Sequence, residues 1–254
     1  MIKVTVLVDN NSAKFLEKEH GMSMYIDFGC GQYLFDTGSS DLFLRNAKVL
    51  NIPVKDVKTV ILSHGHWDHG NGLEHLQNKD LIAHSFIHKK RYRLNNSYLG
   101  LSLSKEDLEK RYNVIYKDKS CEIAPNMYFL TSVKRSKEET KFLLENGDFD
   151  QIEDDSSIAI KTQKGIVLLS GCAHAGVENH IKEVLKITGE KQIYAVVGGL
   201  HLKTESEAHE IGGFLKKHVS GIVYTGHCTT RLAMMTLAGY VPVEGIYSGF
   251  EVKF

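Results

Sequence analysis

Short runs of β-branched and aromatic residues alternate along the chain with longer segments whose apolar residues recur at helical spacing. The runs predict strands, because a buried strand takes roughly four to eight apolar residues bounded by turn residues. The predicted strands are 2–8, 23–28, 32–36, 59–63, 81–86, 127–132, 157–162, 165–170, 193–199 and 221–226. The helical spacing predicts helices over 39–50, 175–188 and 206–219.

Local signals refine the ends of these elements and their arrangement. Ser39 or Ser40 is expected to cap the first helix, and Gly189 to end the second. Residues 23–38 predict a hairpin that turns at 29–31. Early strands follow one another through short turns, whereas later strands alternate with helices. This mixture predicts an α/β (α+β) fold in which packed sheets carry helices on their outer faces.

Two polar segments interrupt the pattern. Residues 89–113 are charged and rich in tyrosine, and we interpret them as an insertion that is partly helical over 104–112. Residues 134–155 are also polar. Each segment is interpreted either as a lid over an active site or as a solvated connection. The length suits one large domain or at most two small ones, and we predict a single domain over 1–254.

Composition narrows the class of partner. Lys+Arg and Asp+Glu both total 31, so no basic surplus favours nucleic acid. The first ten residues lack the pattern of a signal peptide, and no apolar run approaches the roughly 20 residues of a membrane helix. The four cysteines form no CxxC pair. We therefore expect a soluble, cytoplasmic protein that acts on a small molecule; the sequence carries no signal for an oligomeric state.

The segment SHGHWDHGNG, residues 63–72, carries the strongest chemical signal. It places His64, His66, Asp68 and His69 directly after an apolar strand. Imidazole nitrogen and carboxylate oxygen are ligands that suit zinc, iron and manganese. The glycines between them permit the tight backbone that brings such side chains together. Four ligand-type residues in one loop exceed the share of a single tetrahedral ion, so the loop predicts two neighbouring metal ions.

The same residues establish a resemblance. The His-x-His-x-Asp-His spacing after a hydrophobic strand resembles that of the metallo-β-lactamase superfamily, and LFDTG at 34–38 is similar to that superfamily's first motif. The resemblance implies a four-layer αββα sandwich of two mixed β-sheets flanked by helices, with metals at one edge between the sheets. It also implies that Asp36 supports residues 63–72, called the metal loop below, without binding a metal itself, as carboxylates behind ligating histidines do.

Three later histidines also follow apolar strands and glycines. They are His174, His201 and His227, and each is expected at the same sheet edge as the first motif. By resemblance, His227 is the last metal histidine and His174 a ligand of the first metal. His201 is interpreted as facing the substrate, as an acid or charge stabiliser, with metal ligation as the second interpretation.

Two departures from the superfamily pattern concern possible additional ligands. The usual third-motif histidine is absent, and Asp154 and Asp155 lie near its expected position. The usual bridging aspartate is replaced, and Cys172 stands near that place. We interpret Cys172 as a small buried thiol beneath the metals, with a weak or bridging ligand as the alternative. If the preceding strand continued, residues 172 and 174 would point the same way and compete for one space.

The opening VLVDN, the metal loop, GCAHAG, GGLHL and GHCT together narrow the resemblance. They are similar to the branch of dihydropterin-ribofuranosyl-aminobenzene-phosphate synthase-like hydrolases. The resemblance implies two divalent metal ions, with zinc the first choice and iron or manganese the alternatives. It implies hydrolysis of a small-molecule ester or phosphoester, such as a phosphodiester or a pterin-linked phosphate, by a hydroxide of the dinuclear centre. Asp68 and His201 are the expected catalytic residues.

Three alternatives differ in class. The first is a metal-dependent synthase that forms a C–O or C–N bond on a pterin or phosphoribosyl substrate. The second is a metal-binding sensor or carrier without turnover, which the intact ligand motif disfavours. The third is a nucleic-acid-processing enzyme, which the neutral charge disfavours.

Overall fold

Strands make up most of the regular structure. The computed structural model describes residues 1–29 and 31–254. Its strands are β1 (Lys3–Val8), β2 (Ser23–Asp27), β3 (Gln32–Phe35), β4 (Thr59–Ile61), β5 (Asp80–Ala83), β6 (Arg91–Arg93), β7 (Asn113–Tyr116), β8 (Cys121–Ala124), β9 (Met127–Leu130), β10 (Phe142–Leu144), β11 (Ser157–Thr162), β12 (Gly165–Ser170), β13 (Ile193–Gly198), β14 (Val219–Thr225), β15 (Val243–Gly245) and β16 (Glu251–Lys253). Its α-helices are α1 (Leu42–Val49), α2 (Trp67–Gly70), α3 (Lys105–Arg111), α4 (Val177–Thr188), α5 (Glu205–His218) and α6 (Arg231–Leu237), and 3-10 turns cover Val54–Asp56 and Asn71–His75.

Two seven-stranded mixed sheets dominate the described chain. The first runs in the order β16-β1-β2-β3-β4-β5-β7, and the second in the order β15-β14-β13-β12-β11-β9-β8. In the first sheet β3, β4, β5 and β7 run parallel, and in the second β12, β13, β14 and β15 do. The remaining neighbours pair antiparallel. Each sheet therefore consists of antiparallel strands on one side and parallel strands on the other.

The pleat of the strands divides the apolar side chains between layers. Neighbouring residues of a strand face opposite sides of its sheet, so Phe35 packs between the two sheets while Leu34 packs outward under α1 and α3. Leu169 and Leu168 divide in the same way in the second sheet, where α4, α5 and α6 cover the outer face. The four-layer αββα sandwich predicted from the family resemblance is confirmed.

The beginning of α1 differs from the prediction. The predicted caps, Ser39 and Ser40, lie outside the helix, which begins at Leu42 with Asp41 at the N-cap position and no side-chain capping bond. The carboxylate of Glu19 accepts the backbone N–H groups of both serines and the Ser40 hydroxyl. The two serines therefore bind the Glu19 carboxylate in the turn before α1, and the Ser40 hydroxyl also accepts the N–H of Leu42, the first residue of the helix, at 3.2 Å.

Other local predictions agree with the structure. Gly189 ends α4 in a left-handed conformation, φ 72°. Ser104 caps α3 through a capping box with Asp107, where the insertion was predicted to be partly helical. β2 and β3 pair antiparallel as the predicted hairpin requires, and the Phe28 N–H donates to the Gly31 carbonyl. Cys30, within the predicted turn, lies outside the described residues.

Several short elements were not predicted. They are β6, β7, β8, β10, β15, β16, α2 and α6. Most have three or four residues and a polar or mixed composition, so neither spacing rule detects them. The predicted strand 81–86 is also too long: β5 ends at Ala83, and the His84 side chain turns away to hydrogen-bond Ser132.

The two polar segments are joined to each other. β6, from 89–113, pairs antiparallel with β10, from 134–155, to form a separate two-stranded sheet. Arg91 on β6 is fully buried and contacts the carboxylates of Asp150 and Asp154. This small sheet lies beside the metal-loop residues, since Phe142 on β10 contacts the ring of His66. Within the described ranges, no helix combines the length and apolarity needed to cross a membrane.

The layer between the sheets gives a stability prediction. Phe129 on β9 is 0% exposed in this layer, whereas Phe15 is 68% exposed. Because truncation leaves a cavity between two sheets, Phe129→Ala is expected to lower the free energy of unfolding by about 3–5 kcal/mol. Phe15→Ala, the control, is expected to change it by less than about 0.5 kcal/mol. Urea denaturation of both variants measures the difference, and equal effects would contradict this assignment of the core.

Candidate metal centre

The carboxyl ends of parallel strands bring the predicted residues together. The metal loop follows β4 and Asp36 follows β3 in the first sheet, while the loops after β12, β13 and β14 carry His174, His201 and His227 in the second. Parallel neighbours end at the same edge of a sheet, and the two sheets stack with these edges together. The residues predicted from separate motifs therefore converge on one place.

His64, His66 and His174 form the first cluster. His64 Nε2 lies 2.9 Å from His66 Nδ1, and the His174 ring centroid lies 4.9 Å and 5.0 Å from those of His64 and His66. His66 Nε2 and both ring nitrogens of His174 are buried without a hydrogen-bond partner among the described residues. Buried ring nitrogens normally have partners, so this cluster has unused capacity to bind a ligand.

Asp68, His69 and His227 form the second cluster. His69 Nε2 lies 3.1 Å from His227 Nε2, and Asp68 Oδ2 lies 3.9 Å and 3.5 Å from these two atoms. Cys172 Sγ lies 3.3 Å from His69 Nε2 and shares donor groups with both clusters. His20, which the sequence analysis did not single out, contacts Asp68 Oδ2 through Nε2 at 3.1 Å.

Close packing of the metal loop against neighbouring backbone explains why residues 65 and 72 are glycines. The loop enters a single helical turn, α2, so Asp68 and His69 leave from adjacent positions of that turn. A Cβ on Gly65 would lie 1.9 Å from the Ile87 carbonyl oxygen, and one on Gly72 would lie 2.3 Å from the Thr37 carbonyl oxygen. Both contacts are with backbone, which cannot move aside, so glycine is required for the loop to pack this closely.

The Asp36 carboxylate orients one histidine of each cluster, either directly or through Ser63. Its carboxylate accepts the Ser63 backbone N–H and hydroxyl, each at 2.7 Å, and lies 2.7 Å from His69 Nδ1. Because the Ser63 hydroxyl donates to Asp36, it accepts from His64 Nδ1 at 2.9 Å. Both rings therefore carry a proton on Nδ1 and turn Nε2 toward the site. Asp36 thus contacts His69 directly and His64 through Ser63, which are the contacts that the predicted supporting role requires.

The opening segment holds His227. Asp9 Oδ2 accepts the His227 backbone N–H at 2.9 Å, and Asn10 Oδ1 lies 3.1 Å from His227 Nδ1. Burial raises the pKa of Asp9 to about 6. The Asn10 side chain also contacts His20 Nδ1 at 3.2 Å. The VLVDN segment thus belongs to the site, although the sequence analysis used it only for the resemblance.

Burial keeps most of these imidazoles neutral. It lowers the pKa of His64 and His174 well below the usual range, that of His66 to about 3 and that of His227 to about 4. Charging an imidazole in this interior is unfavourable because several rings lie close together away from water. At neutral pH these rings therefore present lone pairs, the form in which histidine binds a metal.

Asp68 and His69 carry the opposite charges. Burial alone would raise the pKa of Asp68, but His69, the His20 hydrogen bond and His227 together hold it below its usual range. Burial would lower the pKa of His69, but Asp36 and Asp68 outweigh it and raise that pKa to about 9. A cation at His69 Nε2 would take the place of the proton that these carboxylates attract.

His201 lies beside the first cluster. Its ring centroid is 4.3 Å from that of His174, its ring nitrogens have no hydrogen-bond partner in the described chain, and its backbone N–H donates to Cys228 Sγ at 3.2 Å. Cys172, His201 and Cys228 form a further group with ligand atoms within 4.8 Å of one another. In the sequence, Cys228 was indicated only by its neighbour His227. His20 lies in a polar segment, where no sequence signal indicated it.

The two aspartates near the missing third-motif histidine hold backbone instead. Asp154 accepts the Gly65 N–H at 2.8 Å and pairs with Arg91. Asp155 accepts the Ala175 N–H at 2.7 Å and contacts His180 Nε2 at 2.9 Å. Neither belongs to a donor group found among the described residues. They fix the loops that carry the histidines.

The clusters open into a cavity of about 310 Å³. Trp67, Leu99 and Phe142 supply apolar wall, while Arg93 and Lys203 supply positive charge. Larger surface depressions exist, such as one of about 580 Å³, but none of the donor groups formed by the described residues opens into that one. The cavity at the clusters is therefore the candidate binding site.

Comparison with known proteins identifies the family. The model of the metallo-beta-lactamase superfamily matches residues 18–175, which is more than half of the chain. The chain belongs to the metallo-beta-lactamase superfamily. The superfamily typically binds divalent metal ions, and the histidine, cysteine and aspartate clusters here are able to hold them.

Two curated relatives come from Methanocaldococcus jannaschii. One, named 7,8-dihydropterin-6-methyl-4-(beta-D-ribofuranosyl)-aminobenzene-5'-phosphate synthase, is 33% identical over 93% of this chain and 90% of its own length. The other is an uncharacterized protein, 28% identical over 92% of this chain and 93% of its own. The branch suggested by the sequence motifs is thus confirmed at the level of similarity.

Solved structures with the same fold superpose on this chain. Tm1679, described as a metal-dependent hydrolase of the beta-lactamase superfamily, superposes with a TM-score of 0.90 at 30% identity, covering 100% of this chain and 99% of that one. YhfI from Bacillus subtilis superposes with a TM-score of 0.60 at 14% identity, covering 99% and 98%, and shows the shared fold alone.

The geometry behind His69 gives a prediction for metal affinity. Asp36→Asn would offer an amide where Ser63 and His69 now donate to a carboxylate, so His69 would lose its fixed orientation. We expect metal affinity to fall about 10- to 100-fold, measured by competition with a chromophoric chelator. Asp41→Asn is the control, because Asp41 lies at the N-cap of α1, where its carboxylate makes no capping bond and pairs with the exposed Arg45. An unchanged affinity in folded Asp36→Asn protein would refute the supporting role.

Proposed function

We propose that this protein is a metal-dependent hydrolase of a small-molecule ester or phosphoester. The observation that carries the proposal is the set of buried ring nitrogens without partners, on His66, His174 and His201, at the floor of an open cavity. Leaving such atoms unsatisfied costs about 1–3 kcal/mol each. A bound cation with a substrate above it satisfies them.

The donor set fits two divalent ions. His64, His66 and His174 would hold the first, and Asp68, His69 and His227 the second. Neutral imidazole and carboxylate donors suit zinc first, with iron or manganese as alternatives. When bound, such a pair lowers the pKa of water into the neutral range and stabilises negative charge that develops on a substrate oxygen.

The chain's own residues would carry the rest of the reaction. His201 lines the cavity with unpartnered ring nitrogens, so its imidazole is free to give a proton to the leaving group. Asp68, held by His20, would orient the attacking water through its carboxylate. Trp67 and Phe142 would exclude bulk water from the bound substrate.

The cavity mouth favours an anionic substrate. Arg93 and Lys203 line it, are exposed, and have no ion-pair partner in the part of the chain that the structure describes. Two unpaired cations beside a cavity of about 310 Å³ suit a phosphate or carboxylate group. The chain's zero formal net charge argues for a small molecule over nucleic acid.

A synthase is the second candidate. The 33% identical relative is named as the synthase of a dihydropterin joined to a ribofuranosyl-aminobenzene phosphate. The same donor set and the same anionic mouth suit a C–O or C–N bond-forming reaction. Incubating the metal-loaded protein with a pterin and a phosphoribosyl donor, followed by mass spectrometry, distinguishes a coupled product from simple hydrolysis.

Metal loading and turnover test the primary proposal. We expect about two transition-metal ions per chain and slow hydrolysis of an aryl phosphodiester that a chelator abolishes. His66→Ala and His227→Ala should each abolish turnover, because each removes a proposed metal ligand. Elemental analysis and release of the aryl alcohol measure these outcomes.

The exposed His75→Ala variant is the matched control and should keep full activity. Circular dichroism should show that all three variants remain folded. Full activity in either site variant would remove that residue from the ligand set. A fully metallated protein that turns over no ester, lactone or phosphoester in a broad panel would favour the sensor.

The charge at the mouth predicts a change in KM. Lys203→Ala should raise KM for an anionic aryl phosphodiester about tenfold, the loss of one charge-assisted hydrogen bond of about 1.4 kcal/mol. It should leave kcat, and KM for a neutral aryl ester, nearly unchanged. Lys216→Ala, exposed on α5 away from the cavity, is the control. Equal KM changes for charged and neutral substrates would contradict an anion-binding role.

A further inference from the structure

Cys172 lies between the two clusters, where one atom can contact both metal positions. Its Sγ shares one donor group with His64 and His174 and another with His69 and His227, and within each group the ligand atoms lie within 4.8 Å of one another. We propose that Cys172 is a thiolate ligand shared by both metal ions, which makes the centre selective for thiophilic cations. This inference rests on the metal centre of the proposed function.

Bond lengths are compatible with sharing. A Zn–S bond is about 2.3 Å, so two ions bound to one sulfur are separated by at most about 4.6 Å. Paired catalytic ions lie about 3.5–4 Å apart. A single sulfur can therefore serve both ions at a normal spacing. Cys172 Sγ already lies 3.3 Å from His69 Nε2, a distance typical of two ligands on one ion.

The surroundings of the thiol argue against a purely structural role. A cysteine that only fills space is surrounded by apolar groups. Cys172 is buried, yet nitrogens of His64, His69, His174 and His227 lie around its sulfur. From the sequence, Cys172 was interpreted as a space-filling thiol with a bridging ligand as the alternative. The donor geometry favours the alternative.

Cys172 and His174 do not compete for one position. The strand ends at Ser170, and Ala173 between them has φ 54°, so strand alternation does not apply. The Gly171 backbone packs against the support of the metal loop, since a Cβ there would lie 2.3 Å from Ser63 Oγ and 2.9 Å from Asp36 Oδ2. Cys172 is thereby fixed next to the metal loop, while His174 reaches the first cluster.

Cobalt substitution tests the thiolate directly. Metal-free protein titrated with Co²⁺ should develop a near-ultraviolet sulfur-to-cobalt charge-transfer band, together with visible ligand-field bands. Because a shared sulfur bonds both ions, the band should grow with both the first and the second equivalent. Growth that stops after one equivalent would mean a ligand of one ion only and would overturn the sharing.

Three serine variants identify the sulfur. Cys172→Ser should lose the charge-transfer band, while Cys228→Ser and Cys121→Ser should keep it. Cys121 lies on β8, away from the site, and is the matched control. A band that persists in Cys172→Ser, or disappears in Cys228→Ser with Cys172 intact, would refute the assignment. Circular dichroism confirms that each variant is folded.

The Cys172→Asp variant tests the shared thiolate separately from the existence of the metal centre. A carboxylate at that position should keep two ions per chain, lose the charge-transfer band and lower the preference for Zn²⁺ over Mn²⁺ about tenfold or more. An unchanged preference would refute thiolate selectivity. If wild-type protein failed to bind Co²⁺ or Zn²⁺ at all, the metal centre of the proposed function would fail, whereas binding without the band would overturn only the thiolate.

Discussion

The buried carboxylate of Asp36 is the interaction on which the site depends. A charge at 0% exposure is stable only when its oxygens are fully hydrogen-bonded. Ser63 and His69 supply those bonds, and Ser63 passes the constraint on to His64. One negative charge at the end of β3 thus selects the tautomers of two histidines. His174, His201 and His227 lie on loops of the opposite sheet and pack against a loop whose orientation is already fixed.

Much of the fold, and the residues that cluster at the candidate site, follow from the sequence because both depend on local patterns. Apolar runs mark the long central strands, and the spacing of His64 to His69 identifies the metal loop. Short edge strands such as β6 and β10 have no such pattern, since their pairing joins distant segments. His20 was missed because its role depends only on its proximity to Asp68. Strand alternation would make residues 172 and 174 compete for one space, but the strand ends at Ser170, so the alternation does not extend to Cys172.

The site concentrates groups that a folded chain normally avoids burying. Several imidazoles, a thiol and Asp68 lie together with few partners of their own. Their desolvation opposes folding, while the layers on both sides of the two sheets favour it. Ligand binding to the folded state alone would shift this balance further toward the native structure. Binding of a cation at the candidate centre would therefore raise the free energy of unfolding.

Arg91 connects the small sheet to the metal loop through a single buried group. Its guanidinium pairs with Asp154, whose other contact is the Gly65 backbone N–H beside the histidines. Elsewhere in 89–113 the buried side chains are Leu99, Leu101, Leu108 and Tyr112, while residues 93–96 and 104–106 are exposed. A segment fixed by a few buried side chains can exchange its exposed ones during evolution without disturbing the metal loop. The wall of the cavity can then vary by drift in this segment, provided that the arginine and the other buried residues are retained.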